Sequence, residues 1–101
     1  MPDRRRVVVT GIGLRTPIGH SLAEMAEAFR QGRTGVRAMP EWRKIDHLRT
    51  AVAGVCEGVD ETAVPRHFRR AMGRVAVLAA LSATDALVDA GIGEERIASS
   101  R

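Results

Sequence analysis

The sequence predicts an α/β fold that lacks part of its hydrophobic core. Strand-like and helix-like patterns alternate along the chain, which is the mark of this fold class. The pattern gives a strand at 5–10, a helix at 21–32, a short strand at 51–56 and a long helix at 66–90. Two short strands cannot cover a long helix that is apolar on several sides. Apolar surface is therefore expected to remain uncovered within these 101 residues.

The first half of the chain carries the clearest local signals. Val7, Val8 and Val9 are β-branched and predict the first strand. Ser21 and Glu24 have the spacing of a capping box, in which each side chain accepts a hydrogen bond from a free backbone N–H. One buried helix face is then expected from the spacing of Leu22, Met25, Ala26 and Phe29, and Gly32 is placed to end the helix.

The second half is dominated by one long apolar pattern. Residues 33–50 read as a loop whose bulky anchor is Trp42, and residues 51–56 as a short strand. The pattern at 66–90 contains no Pro, is rich in Ala and ends at Gly91, which predicts a single helix. Apolar residues lie off its main stripe as well, so this helix is expected to be covered on more than one side.

Charge and cysteine content narrow the function classes. The formal net charge is +4, and Lys44 is the only Lys among the basic residues. A basic chain suits an acidic partner, but scattered Arg residues also suit an Arg-rich genome. Cys56 is alone, which excludes an intramolecular disulfide and favours a reducing, cytoplasmic setting. The apolar runs at 7–9 and 75–81 are too short for a signal peptide or a membrane span.

A Gly-rich turn after the first strand imitates a dinucleotide-binding motif. The fingerprint requires a third glycine, and Thr16 stands at that position, followed by Pro17. The short-chain dehydrogenase variant fails too, because its last two glycines would fall on Arg15 and Pro17. The expected acidic residue about 20 positions further on is also missing. The sequence therefore argues against a nicotinamide cofactor.

An ordered series of motifs resembles the start of β-ketoacyl-acyl carrier protein synthases, the condensing enzymes of fatty acid and polyketide synthesis. The series covers essentially the whole chain. Its pieces are Arg5 to Gly13, Thr16-Pro17-Ile18-Gly19, Gly32 to Arg37, Ala53-Gly54, Arg70-Ala71-Met72 and Ala86 to Gly91. Gly73 departs from the pattern, since many members have Asp there, and this leaves the acyl-chain preference open.

The resemblance implies a thiolase-like αβαβα fold, built from two similar halves in a much longer chain. Residues 1–101 then form a truncated amino-terminal ketosynthase domain. The implied reaction is a decarboxylative Claisen condensation, carried out by a Cys nucleophile at a helix start with two His residues, or with His and Asn in a related branch of the family. The substrates are held on the phosphopantetheine of acyl carrier protein, no other cofactor is implied, and family members usually form homodimers.

None of those catalytic residues matches a position in this sequence, so we expect the chain alone to be inactive. The sequence offers no catalytic, cofactor or metal residues. Cys56 lies in a predicted strand rather than at a helix start, and is expected to be a small buried apolar side chain. His20, His47 and His67 lack a nucleophile, a paired carboxylate or metal-ligand spacing.

A cluster of cations opens the long helix. It contains Arg66, His67, Arg69, Arg70 and Arg74, and no acidic residue lies between positions 62 and 84. Cations at a helix amino-terminus oppose the helix dipole, so they do not serve helix stability there. The resemblance implies that Arg66, His67 and Arg70, with Arg69 beside them, contact the acidic helix of acyl carrier protein. A solvated basic surface is the alternative.

Three functions remain open from sequence. The first is part of a 3-oxoacyl-[acyl-carrier-protein] synthase. The second is a non-catalytic segment that binds acyl carrier protein or complements a separate remainder. The third is a small basic nucleic-acid binder, although two Phe and one Trp offer little stacking surface. No membrane partner is expected.

Overall fold

The computed structural model describes residues 3–98. Helices and two short strands follow one another along the chain, with two 3-10 turns between them. The regular elements are α1 (Leu22–Arg30), β1 (Val36–Ala38), β2 (Val52–Gly54), α2 (Arg66–Arg69), α3 (Arg74–Ala90) and α4 (Glu94–Ala98). The 3-10 turns lie at Pro40–Lys44 and Glu61–Ala63.

The first predicted strand does not form. Residues 5–10 have neither strand nor helix geometry, and Val7, Val8 and Val9 are 95%, 72% and 82% exposed. A strand needs a hydrogen-bonded neighbour, and none lies beside this segment in the described part of the chain. The prediction of a buried strand at 5–10 is therefore wrong, because the segment lacks a neighbouring strand rather than β propensity.

The turn after this segment packs directly on α3. A β-carbon on Gly11 would lie 2.2 Å from the backbone oxygen of Ala86, so the two backbones are in contact. Asp89 accepts a hydrogen bond of 3.0 Å from the backbone N–H of Ile12. Arg15 pairs with Asp85 at 2.5 Å, and the Arg15 side chain is 16% exposed. The glycines of the motif thus serve helix packing.

Helix α1 begins and ends as the sequence predicts. The Ser21 hydroxyl accepts a hydrogen bond of 3.1 Å from the backbone N–H of Glu24. The Glu24 carboxylate accepts its bond from the backbone of His20, one residue earlier than the capping box requires. At the other end Gly32 is left-handed, with φ of 63°, and Arg33 N–H reaches back to the carbonyl of Ala28. This is a Schellman cap.

The two strands form a small antiparallel sheet that the sequence only half predicts. Val36 pairs with Gly54, Arg37 with Ala53 and Ala38 with Val52. Strand β2 is shorter than the predicted 51–56. Strand β1 lies within 33–50, which was predicted to be a loop. Three residues are too few for a recognisable alternation, and pairing with a distant partner overrides the local pattern.

The long helix predicted at 66–90 is divided in two. Helix α2 ends at Arg69, a turn follows, and α3 begins at Arg74. Gly73 is the N-cap of α3 and has extended backbone geometry. Gly is about 1 kcal/mol less favourable than Ala inside a helix, so the division falls where propensity is weakest. The predicted end at Gly91 is confirmed, with a left-handed φ of 69°.

The core is small. Among residues 3–98, the buried hydrophobic side chains are Ala28, Val64, Val77 and Leu81. The radius of gyration is 18.2 Å, whereas a compact chain of this length has about 13 Å. The accessible surface is 8758 Å², against about 5,600 Å² for a compact monomer of this size. The expected shortage of core is therefore a property of the structure.

Candidate functional site

The candidate site is the basic patch, which we define as Arg66, His67, Arg69 and Arg70. Helix α2 and its C-cap residue carry all four side chains. Arg66, His67 and Arg70 are exposed and Arg69 is half-buried. The rings of His67 and its neighbour Phe68 lie 4.0 Å apart between centroids. None of the four forms an ion pair with a described carboxylate.

Apolar contacts on both sides of α2 position the basic patch. Val64 lies just before the helix and is 6% exposed, in a cluster with Val77 and Leu81 of α3. Met72 follows the helix and packs against the same cluster. Because both flanking residues are attached to α3, the short helix between them is held at the surface by its ends. Four residues would not form a stable helix alone.

A groove of about 330 Å³ lies between α2 and α3. Val64, Phe68 and Met72 contribute to its wall on the α2 side, and Leu81 contributes from α3. Phe68 nevertheless remains 57% exposed. The apolar side chain of α2 thus lies toward α3, which leaves the cations on the solvent side of the helix.

Arg74 does not belong to the basic patch, although the sequence places it one turn beyond Arg70. Its guanidinium pairs with the Glu61 carboxylate at 2.7 Å and donates to the backbone oxygen of Cys56 at 2.5 Å. The prediction that Arg74 opens the same helix as Arg66 and Arg70 is wrong, because the turn at 70–73 separates α2 from α3. Arg74 instead fastens the start of α3 to the preceding loop.

Asp60 is an acidic group whose pKa is influenced by a residue of the basic patch, Arg69. Asp60 caps the turn at Glu61–Ala63 and accepts hydrogen bonds from the Thr62 hydroxyl at 2.5 Å and the Thr62 backbone N–H at 3.0 Å. These bonds lower the pKa of Asp60, and the charge of Arg69 lowers it further. Sequence analysis missed this cap, although Asp followed by Thr two positions later is a recognised turn signal.

The other residues singled out in the sequence lie in loops and turns. Cys56 is half-buried in the loop after β2, whereas a buried strand position was predicted. His20 bonds to the carbonyl of Glu57 through Nε2, so it links the turn before α1 to the loop after β2. His47 has φ of 66° in an exposed loop. Within residues 3–98 no cluster of His, Cys, Asp and Glu has the arrangement of a metal site.

None of the helices in the described range 3–98 is long and apolar enough to cross a bilayer.

Comparison with known proteins identifies the family. Residues 4–101 match the model of the β-ketoacyl synthase N-terminal domain. The 3-oxoacyl-[acyl-carrier-protein] synthase 1 of Haemophilus influenzae is 32% identical over 96% of this chain and 24% of its own length. A granaticin polyketide β-ketoacyl synthase from Streptomyces violaceoruber is 36% identical over 87% of this chain and 21% of its own.

A solved structure agrees with these relatives. The crystal structure of a β-ketoacyl synthase from Burkholderia phymatum STM815 matches with a TM-score of 0.80 and 38% sequence identity. The match covers 91% of this chain and 23% of the synthase. The chain thus spans about a quarter of the length of the relatives that it matches. It belongs to the β-ketoacyl synthase family and corresponds to the amino-terminal domain of that family.

Proposed function

We propose that these residues form the amino-terminal part of a condensing enzyme that joins an acyl thioester to malonyl-acyl carrier protein. In that reaction the malonyl group loses CO₂, and the resulting carbanion attacks the carbonyl carbon of the acyl-enzyme thioester. The carbon–sulfur bond to the enzyme Cys then breaks and the thiolate leaves. The observation that carries this proposal is the family match over residues 4–101.

The chemistry itself is assigned to residues outside this sequence. A nucleophilic Cys gains from a helix amino-terminus, where the dipole stabilises the thiolate. Cys56 is half-buried and lies in a loop after β2, ten residues before α2 begins at Arg66. The chain on its own is therefore proposed to be inactive, a truncated ketosynthase domain at 1–101 that contributes structure and a docking surface. A reducing, cytoplasmic setting and a homodimeric parent enzyme complete the proposal.

The proposed role of the basic patch is to receive acyl carrier protein, whose phosphopantetheine carries the substrates. Arg66, His67 and Arg70 are exposed and free of ion pairs, and Arg69 lies beside them. Charges arranged in this way attract an acidic helix and act mainly on the association rate. Salt weakens such attraction, because the Debye length falls to about 8 Å at physiological ionic strength.

A binding measurement tests the docking role without requiring catalysis. Fluorescently labelled bacterial acyl carrier protein is titrated with the chain at 20 mM and 300 mM NaCl, followed by anisotropy. The double variant Arg66→Glu/Arg70→Glu is expected to bind at least tenfold more weakly at low salt. Arg43→Glu/Lys44→Glu is the matched control, since it makes the same charge change on the exposed turn at Pro40–Lys44.

Two results would overturn the docking role. One is salt-insensitive binding by the unaltered chain, and the other is an equal loss in both double variants, which would indicate a general charge effect. A labelled DNA oligonucleotide serves as the competing ligand. Tighter binding to DNA than to the carrier protein, with a steep salt slope, would favour the nucleic-acid alternative.

A further inference from the structure

An exposed aromatic ring lies in the middle of the basic patch. Phe68 stands between His67 and Arg69 in the sequence, and 57% of it is exposed. The His67 ring lies beside it, tilted by 42°. The cores of protein interfaces are enriched in aromatic residues, Met and Arg. A large apolar ring among cations is therefore typical of a surface that meets another protein.

The groove beside Phe68 has apolar walls that are already held in place. Val64 and Leu81 border it, are 6% and 7% exposed, and belong to the buried cluster between α2 and α3. Met72 completes the wall on the α2 side, and Met side chains adapt to irregular shapes. A volume of about 330 Å³ is small for a ligand site but leaves room for one large apolar side chain.

The groove itself offers no unpaired charge to a ligand. Of the described residues that line it, Arg15 and Asp85 are the charged ones, and they pair with each other at 2.5 Å. An ion that entered the groove would lose its water without gaining a free partner of opposite charge, which is costly. The groove therefore suits an uncharged, apolar group.

The cations of the basic patch surround the groove without lining it. Successive residues are about 100° apart around a helix axis, so His67 and Arg69 lie on either side of Phe68. Arg66 and Arg70 lie further round the same short helix. All four are within two residues of Phe68. A partner that covers the Phe68 ring therefore meets positive charge on both sides of its apolar contact.

We propose that the groove beside Phe68 receives one large apolar side chain from an acidic helix, while the basic patch receives the carboxylates of that helix. An amphipathic helix presents both groups, because residues three and four apart share a face. The inference rests on the proposed docking of acyl carrier protein and adds an apolar anchor to it. The cations act on association, whereas the contact with Phe68 acts on dissociation.

Two synthetic helical peptides separate the groove from the charges. They carry the same acidic residues and differ only at one central position, which is Leu in one peptide and Ser in the other. The Leu peptide is expected to bind the chain about tenfold more tightly, as burial of one large apolar side chain predicts. Salt should weaken both peptides but leave their ratio unchanged between 20 mM and 300 mM NaCl, as measured by fluorescence anisotropy.

Phe68→Ala should remove most of the Leu advantage and make acyl carrier protein dissociate at least fivefold faster. Phe29→Ala is the matched control, since Phe29 is the other Phe of the chain and lies 65% exposed on α1. It should leave both measurements unchanged. Thr84→Trp is a second variant, which fills the groove from the α3 side without altering a charge. It should bring the ratio of the two peptides close to one, with circular dichroism verifying that the helices persist.

Three outcomes would overturn the apolar anchor. They are equal affinities of the two peptides, a Leu advantage that survives in Phe68→Ala and Thr84→Trp, and self-association of the chain that Phe68→Ala abolishes in sedimentation, because the groove would then hold a second copy. Salt-sensitive binding of acyl carrier protein together with equal peptides would leave the docking role intact and remove the anchor. Absence of carrier-protein binding together with a Leu advantage would do the reverse, so the two failures are distinguishable.

Discussion

A β-carbon on Gly13 would lie 1.9 Å from the backbone oxygen of Ser82, so any side chain at position 13 would collide with α3. Gly11 makes the equivalent contact with Ala86, four residues further along the helix. Two residues of extended chain span about 6.6 Å and four residues of helix about 6.0 Å. The Gly-x-Gly spacing therefore matches one repeat of small residues on α3.

Replacing Gly13 by Ala is expected to lift the turn off α3. At 5 °C, nuclear magnetic resonance should show a contact between the α-protons of Gly13 and the amide proton of Ala86, and Gly13→Ala should abolish it. The backbone bond from Ile12 to Asp89 should be lost at the same time. Gly93→Ala is the control, because a β-carbon there meets nothing within 4 Å. A persistent contact in Gly13→Ala would contradict this account.

The contact of Gly11 and Gly13 with α3 was not predictable from the sequence, whereas several local features were. The missing third glycine was enough to argue against a dinucleotide site, and the caps at Ser21, Gly32 and Gly91 were correctly read from local patterns. The true partner of the Gly-rich turn could not be read, since it lies about 70 residues away on α3. Contacts between distant segments leave no local periodicity to detect.

The lack of a local signal for contacts between distant segments also explains the secondary-structure predictions that were wrong. The strand at 5–10 was predicted from β-branched residues, but a strand exists only where a neighbour pairs with it. Strand β1 was missed because three residues give no alternation. The turn at Gly73 was not predicted, because the helical spacing of apolar residues on both sides of it favoured one continuous helix. At the candidate site, the sequence placed Arg66, His67 and Arg69 correctly on a helix, whereas Arg70 is the C-cap residue just beyond it. The sequence also did not reveal that Arg74 pairs with Glu61.

The lowered pKa of Asp60 leads to a prediction about how pH affects the turn that it caps. Hydrogen bonds from Thr62 lower the pKa of Asp60 in the folded chain. A depressed pKa means that the cap stabilises the turn above the unfolded value of about 3.9 and that this contribution is lost as the pH falls through the folded value. Thr62→Ala removes the hydroxyl bond, so the pKa of Asp60 should rise toward about 3.9. Carboxyl-carbon resonances followed through an acid titration measure the change.

The control for this titration is Thr84→Ala, which removes a hydroxyl that bonds to the Ala80 carbonyl on α3. It should leave the pKa of Asp60 unchanged. Arg69→Ala should raise that pKa by less than Thr62→Ala does, because the charge of Arg69 is the weaker influence. An effect of Arg69→Ala larger than that of Thr62→Ala would mean that charge, not hydrogen bonding, sets the value.

The ion pair between Glu61 and Arg74 leads to a prediction about the rate of carrier-protein binding. Glu61→Gln removes a negative charge beside the basic patch and releases Arg74 from its ion pair. An acidic partner should then associate about two- to threefold faster at low salt, with little change in dissociation, since such charges act mainly on encounter. Stopped-flow mixing with labelled acyl carrier protein measures both rates.

Glu27→Gln is the matched control for this experiment. Glu27 lies on α1 and is also paired with an Arg side chain, Arg30, so the change in charge and in pairing is the same. Its association rate should stay close to that of the unaltered chain. Slower association in Glu61→Gln, or equal acceleration in both variants, would show that the basic patch is not the point of encounter.

The small core leads to the last prediction, which concerns unfolding. The only sizeable cluster of buried side chains in the described range joins Val64 to Val77 and Leu81, and the surface is far larger than that of a compact monomer. A cooperative domain of about 100 residues absorbs about 60–80 kcal/mol at its melting temperature. Calorimetry of the isolated chain should therefore show a broad, shallow change without a peak of that size. A sharp endotherm from the chain alone would mean that contacts other than the Val64 cluster unify the fold.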